Sequence, residues 1–270
     1  MRRLDLGTIA RIAARPLLFL FLDYDGTLTP IVSGPSKARL SPSVRSLLHT
    51  LKRSEGIQVA IISGRSLVNL KRFVRVPGLI CAGNHGFEMR GPGLSYVHPM
   101  ALALEPFFAT ITGKLRRALA SFRGIRVEHK TFSVSVHYRQ LRSPGRIREA
   151  RQTLLRELAD FKHTPVVLVT GKKVWELRPT AAWHKGKAVL WLLDRVRKGK
   201  QRYFPVFVGD DTTDEDAFHA VRKKGVGIKV CTGKKERSLA RYYVRGPGEA
   251  VRFLRQVLSL RKNARTFDGF

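Results

Sequence analysis

The feature that most constrains this chain is a run of six apolar residues, Leu17 to Leu22, that leads directly into two carboxylates, Asp23 and Asp25. A short continuous apolar run bounded by turn residues predicts a strand that is buried on both faces, as in a parallel sheet. In open α/β sheets, ligands bind beyond the carboxyl ends of such strands. Acidic residues at that edge need a cationic partner, and Mg²⁺ is a common one. Taken alone, Asp25-Gly26 also fits an ordinary Asx turn.

Alternating strand and helix patterns extend this strand into an α/β domain. A helix that starts at Ser41-Pro42 separates the first strand from a second apolar run at 57–62, which ends at Ser63. Strand–helix–strand units are parallel and right-handed, which places Ser63 beside Asp23 at one sheet edge. We therefore predict a Rossmann-like α/β core with a parallel sheet. Its further elements are a helix at 67–74, a strand at 79–82, a helix at 186–196, strands at 206–208 and 226–230, and a helix at 251–260 before a loose basic tail.

The middle of the chain follows a different pattern. Helical spacing, two strands, a second helix and a hairpin across Gly171-Lys172 predict a compact α+β unit inserted in the α/β domain. From Phe132 to Tyr138, apolar and polar residues alternate strictly, which predicts a half-exposed strand with a polar face. We expect a core domain formed by residues 1–90 and 179–270 and an inserted domain at 91–178.

Composition narrows the class of protein without fixing it. A hydrophobic content of 43% suits a folded globular chain, whereas the formal net charge of +31 is extreme. Such a surface can bind nucleic acid or anionic membrane, attract anionic substrates, or have no function beyond solvation. Against this background, an acidic cluster stands out at Asp210, Asp211, Asp214, Glu215 and Asp216.

The cysteines and the apolar segments predict the compartment. Two cysteines are too few for a disulfide framework and fit a reducing environment. No apolar stretch reaches membrane-spanning length. Residues 1–16 resemble a targeting peptide only superficially, because the following apolar run is short and has no small-residue cleavage site. We therefore expect a cytoplasmic location and no membrane span, and nothing in the sequence specifies an oligomeric state.

Five side chains from separate parts of the chain are predicted to meet at the carboxyl edge of the sheet. Lys185 lies at a predicted helix start, where backbone N–H groups and the helix dipole favour an anion. Taken singly, Ser63 also fits a helix cap, Lys185 a surface lysine and Asp210 a turn residue. Their shared position at strand and helix ends indicates one site for a cation and an anion. The five are Asp23, Asp25, Ser63, Lys185 and Asp210.

Four short segments carry a resemblance to a known family. They are Asp23-Tyr24-Asp25-Gly26-Thr27-Leu28, Ser63-Gly64-Arg65, Glu176-Leu177-Arg178-Pro179 with Lys185-Gly186, and Gly209 to Glu215. In this order they resemble the four motifs of the haloacid-dehalogenase superfamily, in the form found in trehalose-6-phosphate phosphatases. The narrower resemblance also includes Gly83-Asn84-His85-Gly86-Phe87-Glu88, Val127-Glu128-His129-Lys130 and His137-Tyr138-Arg139. The resemblance covers residues 19 to about 220 and implies that the inserted domain is the family's cap.

The resemblance implies a phosphatase mechanism for the core residues. Asp23 would attack phosphorus and form an aspartyl-phosphate, and Asp25 would act as general acid and then as general base. Ser63 and Lys185 would hold the transferring phosphoryl group. Mg²⁺ would be bound by Asp23, the backbone carbonyl of Asp25 and Asp210. In a second shell, Asp214 and Asp211 would orient these groups.

The resemblance also implies which residues bind the sugar. Glu128, Lys130, Arg139 and Glu176 of the inserted domain would contact the distal glucose, and His137 shares the polar face with Arg139. In the core, Arg65, His85 and Glu88 are the expected substrate-binding residues. From periodicity alone, each residue of the inserted domain also fits a solvated sheet face.

Three functions follow from these residues. The principal one is a Mg²⁺-dependent hydrolase acting on a small sugar phosphate, trehalose 6-phosphate, in trehalose biosynthesis. A related enzyme acting on glucosyl- or mannosyl-3-phosphoglycerate is the alternative with the same chemistry. A basic nucleic-acid-binding protein on the same scaffold would explain the net charge, but it is not favoured because it would not need a complete set of reacting groups.

Overall fold

A computed structural model describes residues 1–32, 38–171, 173–196, 202–231 and 237–267. Its contacts divide the chain into a first unit, Met1–Tyr96 with Trp183–Phe270, and a second unit, Val97–Ala182. The division falls a few residues beyond each of the predicted domain boundaries. At one end a further strand continues past Gly91. At the other, Thr180 N–H donates to the carbonyl of Pro165, 2.9 Å away.

Strands and helices alternate along both segments of the first unit. Up to the end of the first segment they are β1 Arg2–Arg3, α1 Leu6–Ala13, β2 Leu18–Leu22, α2 Pro42–Arg53, β3 Ile57–Ile62, α3 Leu67–Val74, β4 Ile80–Gly83, β5 Glu88–Gly91 and β6 Leu94–Val97. The second unit contains α4 Pro99–Ala103, α5 Glu105–Ala118, β7 Arg126–His129, β8 Val134–His137, α6 Pro144–Ala159, β9 Val166–Gly171 and β10 Val174–Pro179. The chain then continues with α7 Lys185–Arg195, β11 Phe204–Gly209, α8 Glu215–Val221, β12 Val226–Val230, β13 Tyr242–Val244 and α9 Gly246–Phe267.

The first unit is built on a nine-stranded sheet in the order β1-β13-β12-β11-β2-β3-β4-β5-β6. Pairing is parallel from β1 through to β4 and antiparallel between β4 and β5. The central strand β2 is buried along its whole length, with its leucines in one apolar layer and Phe19 and Phe21 in the other. The prediction of an α/β fold with a largely parallel sheet is confirmed, and it places the ends of β2, β3, β4 and β11 at one edge.

Sequence rules explain the start of α2. Ser41 accepts a hydrogen bond from the backbone of Val44, and Pro42 occupies the first turn. Spacing of three and four residues then directs one stripe of the helix into the core. This stripe consists of Val44, Leu47, Leu48 and Leu51, as the sequence predicts.

Both ends of the chain differ from the sequence-based expectation. Residues 2–3 form an edge strand parallel to β13, and α1 buries Ile9 and Ile12. The C-terminal helix was expected to end near Leu260 before a loose tail, but α9 continues to Phe267. The side chain of Arg261 explains part of this extension, because it donates to the carbonyls of Ala13 and Pro16, each 3.0 Å away. None of the helices in the described part of the chain combines the length and the apolar character needed to cross a lipid bilayer.

The second unit has an antiparallel sheet in the order β7-β8-β10-β9. Its apolar face packs with α5 and α6 around Trp175, which stacks on Tyr138 with ring centres 4.3 Å apart. The predicted hairpin joins β9 to β10, although Lys172 of its turn lies outside the described residues. The expectation of a half-exposed β8 strand is wrong, since Ser133 and Ser135 are both buried.

Candidate active site

Four predicted site residues lie at the carboxyl edge of the parallel sheet. Asp23 follows β2, Ser63 follows β3 and Asp210 follows β11, while Lys185 is the first residue of α7. The backbone N–H of Asp23 continues the sheet by donating to the carbonyl of Val208, 2.9 Å away. The topology therefore brings together residues that are far apart in sequence.

Lys185 is the central cation of this site. Its Nζ is 2.7 Å from Oδ1 of Asp23 and 2.7 Å from Oδ1 of Asp214, and all three side chains are buried. Burial lowers the pKa of Lys185, but the charges of Asp214 and Asp23 outweigh it and raise that pKa above its ordinary value. Burial, with the charges of Asp214 and Asp210, raises the pKa of Asp23 despite Lys185. Two buried carboxylates thus share one ammonium group.

Asp210 completes a cluster with Asp23 and Asp214, in which carboxylate oxygens lie within 4.8 Å of one another. Burial and the charge of Asp214 raise the pKa of Asp210 to about 6. Its carboxylate packs directly on Gly26, which has a φ of 82°, so only glycine fits there both sterically and conformationally. Thr27 Oγ1 donates to Oδ1 of Asp210 across 3.3 Å.

Asp211 and Asp214 hold the loop after β11. Oδ2 of Asp214 accepts from the backbone N–H of Asp211 at 2.9 Å, while its Oδ1 contacts Lys185. Oδ1 of Asp211 accepts from the backbone of Thr212 at 2.6 Å, which caps a short helical turn. Asp214 therefore touches the central lysine, whereas Asp211 stabilises the turn that carries Asp214.

Asp25 is held by Arg65 rather than by the cluster. The guanidinium donates from Nε to Oδ2 at 2.7 Å and from Nη2 to Oδ1 at 2.6 Å, which is the bidentate geometry typical of strong arginine–carboxylate pairs. The side chain of Arg65 is only 5% exposed, whereas that of Asp25 is 43% exposed. The expected general acid and the expected substrate-binding arginine thus contact each other directly.

Ser63, His85 and Glu88 are connected through the segment that follows β3. The backbone N–H of His85 donates to the carbonyl of Ser63 at 2.9 Å, and the Ser63 hydroxyl accepts from the N–H of Arg65 at 3.2 Å. Oε1 of Glu88 accepts from the backbone of Leu67 at 2.7 Å. Glu88 is buried. These hydrogen bonds join Ser63, His85 and Glu88 to the same segment, residues 63–67, after β3.

The remaining candidate residues lie in the second unit. Glu128, Ser135 and Glu176 form a row across three neighbouring strands. Lys130 Nζ is 2.9 Å from Oε1 of Glu176, and Ser135 Oγ donates to the same oxygen at 3.2 Å, which explains how buried β8 keeps a polar face.

Two further candidate residues lie near this row: His137 is the last residue of β8, and Arg139 comes two residues later. His137 Nε2 is 2.8 Å from Oε2 of Glu128, whereas Arg139 follows β8 and is exposed. Burial alone would raise the pKa of Glu128, but the hydrogen bond from His137 and the charge of Lys130 lower it to about 2.

Comparison with known proteins identifies the family. The sequence matches the model of the trehalose-phosphatase family over residues 21–247, which include every candidate site residue. The chain belongs to the trehalose-phosphatase family. The trehalose 6-phosphate phosphatase RA3 of Zea mays is 36% identical over 269 residues, covering 92% of this chain and 71% of that protein. The trehalose-phosphate phosphatase of Mycobacterium tuberculosis is 38% identical over 226 residues, covering 83% of this chain, which spans only 55% of that relative.

Solved structures agree with this family assignment. The C-terminal domain of trehalose-6-phosphate phosphatase from C. albicans superposes with a TM-score of 0.77 at 24% identity, covering 96% of this chain and 98% of that domain. A trehalose-6-phosphate phosphatase related protein superposes with a TM-score of 0.76 at 25% identity, covering 91% of this chain and 99% of the other. The fold is therefore that of trehalose-phosphatases of the haloacid-dehalogenase superfamily.

The predicted site residues did not include several groups that shape the candidate site. Gly26 and Thr27 contact Asp210, and Asn84 lies in a buried turn beside Ser63. The Asp-Gly-Thr sequence is a usable signal for the first two, because a glycine after a carboxylate indicates positive φ or close approach. Asn84 belongs to a segment that resembles the family, but its role could not be predicted because it depends on tertiary contacts with Arg65 and Glu88.

Proposed function

We propose that this protein hydrolyses trehalose 6-phosphate to trehalose and inorganic phosphate in a magnesium-dependent reaction. Its family membership supports the reaction class, and the names of the maize and mycobacterial relatives support the substrate. The single observation that carries the proposal is the buried Asp23–Lys185 pair beside Asp210 and Asp214. It combines a nucleophilic carboxylate with a cation able to bind a phosphoryl oxygen.

The reaction proceeds in two displacements. A carboxylate oxygen of Asp23 forms a bond to phosphorus while the bond from phosphorus to the sugar oxygen breaks, and Asp25 donates a proton to that oxygen. Asp25 then takes a proton from a water molecule, which attacks phosphorus and releases phosphate with regeneration of Asp23. Both oxygens of Asp25 contact Arg65, so the carboxyl group has to leave this arrangement to donate its proton.

The aspartate cluster has the chemistry of a magnesium site. Its carboxylates converge around one ammonium, and burial together with the neighbouring carboxylates raises the pKa of both Asp23 and Asp210. Both carboxylate oxygens of Asp214 already accept hydrogen bonds, one from Lys185 and one from the backbone N–H of Asp211. We therefore infer that Asp23, Asp210 and the backbone carbonyl of Asp25 would hold the cation. A divalent cation there supplies charge neutralisation for nucleophile and phosphate.

We further propose that the polar row of the second unit contributes to sugar selectivity. Carboxylates and an ammonium group offer several strong hydrogen bonds to sugar hydroxyls. Replacing Glu176 by Gln should raise the KM for trehalose 6-phosphate at least tenfold. The same variant should change the hydrolysis of a small aryl phosphate less than about threefold, and equal losses on both substrates would contradict this role.

The decisive experiment measures phosphate release from a panel of sugar phosphates by the wild type and Asp23→Asn, with Mg²⁺ and with chelator. The panel includes trehalose 6-phosphate, glucosyl-3-phosphoglycerate and mannosyl-3-phosphoglycerate. We expect turnover of trehalose 6-phosphate that requires both Mg²⁺ and Asp23. Preference for another member would replace the substrate, and absence of Mg²⁺-dependent release by folded protein would refute the proposal. A cytoplasmic location stays a prediction, which fractionation of the source cells tests.

A second candidate function is binding of nucleic acid, and one feature of the second unit favours it. Arg146 donates to the carbonyl of Ser121 at 3.2 Å, so the end of α5 meets the start of α6. Exposed guanidinium groups concentrate there, and guanidinium groups bind phosphates bidentately. We call this group the arginine end; it consists of Arg116, Arg117, Arg123, Arg142, Arg146 and Arg148.

Salt-dependent retention on duplex DNA tests this candidate. Glutamine at Arg116, Arg123 and Arg142 should reduce the slope of log affinity against log salt by about 0.9 for each phosphate that the protein no longer neutralises. Glutamine at Arg222, Lys223 and Lys224, which are exposed in the first unit, removes the same charge and is the matched control. Equal effects of the two triple variants would show that only net charge matters and would refute a defined surface.

A further inference from the structure

Residues 84–86 form a strained turn next to Ser63. Asn84, His85 and Gly86 have φ values of 49°, 57° and 96°, so three consecutive residues adopt left-handed backbone conformations. Glycine adopts this region freely, whereas asparagine and histidine, although enriched there among the other residues, occupy it at an energetic cost. Such strain persists only where surrounding contacts impose the conformation. The contacts that impose it here therefore identify the groups on which the turn depends.

Glu88 links this turn to the segment after β3. Its Oε1 accepts from Nδ2 of Asn84 at 2.8 Å and from the backbone N–H of Leu67 at 2.7 Å. The backbone N–H of Asn84 also donates to the carbonyl of Arg65, 2.7 Å away. Glu88 and Asn84 are 8% and 2% exposed, so these bonds are shielded from water. One carboxylate oxygen thus joins the segment that follows β3 to the turn that follows β4.

The turn places the imidazole of His85 directly on Gly64. A Cβ atom built at Gly64 would lie 2.7 Å from Cε1 and 2.8 Å from Nε2 of His85. The ring therefore occupies the space next to the peptide that follows Ser63. On its other side, Gly86 packs against Ala188 of α7, the helix that begins at Lys185. The turn is fixed between the two elements that carry the proposed phosphate-binding side chains.

We propose that Glu88 is a positioning residue, which holds the 84–86 turn and thereby keeps His85 beside Ser63 in contact with the bound substrate. This inference rests on the proposed function. It gives Glu88 an indirect role in substrate binding, because its Oε1 accepts hydrogen bonds from Asn84 and from the backbone of Leu67. The property that the turn requires of residue 88 is then an acceptor oxygen at the position of Oε1.

Two substitutions at position 88 separate these properties. Glu88→Gln keeps a carbonyl oxygen that can accept from both donors, so kcat/KM should stay within about threefold of the wild type. Glu88→Ala removes the acceptor and should lower kcat/KM at least tenfold, since small displacements of a positioned group cost about that much or more. Equal losses in both variants would indicate that the charge acts directly, which would overturn the proposal.

A double-mutant cycle with His85→Ala tests whether Glu88 acts through His85. If it does, Glu88→Ala should change the activity of the His85→Ala protein by less than about threefold, whereas independent effects would multiply. Gly64→Ala tests the position of His85 in a second way, because the added methyl group displaces the imidazole ring of His85 while Glu88 stays unchanged. Glu249→Ala is the matched control, since Glu249 also accepts from a backbone N–H, that of Arg245 at 2.8 Å, outside the site. It should leave activity within about twofold.

Crystal structures of the wild type and Glu88→Ala provide a readout that does not depend on activity. We expect the backbone of His85 to leave the left-handed region in the variant and its ring to leave Gly64. An unchanged turn would overturn the positioning role even if the protein proves to act on a different phosphate. If Glu88→Ala does not fold, Asn84→Ala removes the same hydrogen bond and takes its place in the cycle and the crystals.

Discussion

Asp210 should destabilise the metal-free protein at neutral pH. Burial and the charge of Asp214 raise its pKa from 3.8 to about 6 in the folded state. Because the folded-state pKa is the higher one, stability is lost as the pH rises from 3.8 towards 6, and the full loss is present above that range. At roughly 1.4 kcal/mol per pKa unit, this difference corresponds to about 3 kcal/mol. Asp210→Asn should therefore raise the unfolding free energy by about that amount.

The assays are urea denaturation and thermal unfolding, both followed by circular dichroism, in chelator, at pH 7.5 and at pH 4. We expect the variant to be more stable at pH 7.5, with a melting temperature higher by roughly 6 °C, and the difference to fall below about 1 kcal/mol at pH 4. Asp211→Asn is the matched control, because Asp211 is exposed and asparagine can still cap the turn after it.

Addition of Mg²⁺ should reverse the order of stability. A cation that binds the folded state stabilises the wild type, and it should stabilise Asp210→Asn much less because a ligand is lost. A variant that is no more stable than the wild type in chelator at pH 7.5 would refute the electrostatic reasoning. So would a difference that persists unchanged at pH 4.

Three further predictions concern other buried or capping groups of the chain. Lys185→Met leaves Asp23 and Asp214 buried without their ammonium partner, so urea denaturation should show a loss of about 3–5 kcal/mol, and unchanged stability would contradict a buried ion pair. Glu128→Gln should lower the unfolding free energy by up to about 3 kcal/mol at pH 7, because the pKa of Glu128 in the folded protein is about 2 instead of 4.5. This stabilisation is complete above pH 4.5 and disappears as the pH falls towards 2. The difference in unfolding free energy between the variant and the wild type must therefore be smaller at about pH 2.5 than at pH 7. Ser41→Ala removes the cap of α2 and should cost about 1 kcal/mol in thermal unfolding while leaving phosphatase activity unchanged, and a large activity loss would place α2 in the reaction.

Elements with a strong local pattern could be predicted from the sequence. The start and the buried stripe of α2 follow from a cap, a proline and regular apolar spacing, and β2 follows from its uninterrupted apolar run. The meeting of Asp23, Lys185 and Asp210 could be anticipated because parallel topology brings strand ends to one edge, whereas the contact of Asp214 with Lys185 was expected only from the family resemblance. Local rules and topology therefore reached the centre of the candidate site.

Pairings between distant segments could not be predicted in this way. The pairing of Arg2 and Arg3 with β13 has no signature in two arginines, because it depends on a strand near the other end of the chain. The burial of Ser135 depends on Glu176 from another strand, and the pairing of Arg65 with Asp25 depends on the orientation of two loops. In each case the deciding partner lies outside the window that a local pattern covers.

The topology of the parallel sheet has a consequence for the order of folding during synthesis. Asp23 and Lys185 are 162 positions apart, whereas Lys130 and Glu176 of the second unit are 46 positions apart. Loop closure and topology make such long-range pairings slow to form, and domains fold as their sequence becomes available. On the ribosome, the second unit can pair its strands while β2 and β3 still lack β11. The edge that carries the candidate site can therefore be completed only after β11 has been synthesised, and until then β2, the apolar strand before Asp23, has one unpaired side that is exposed to chaperones and to aggregation.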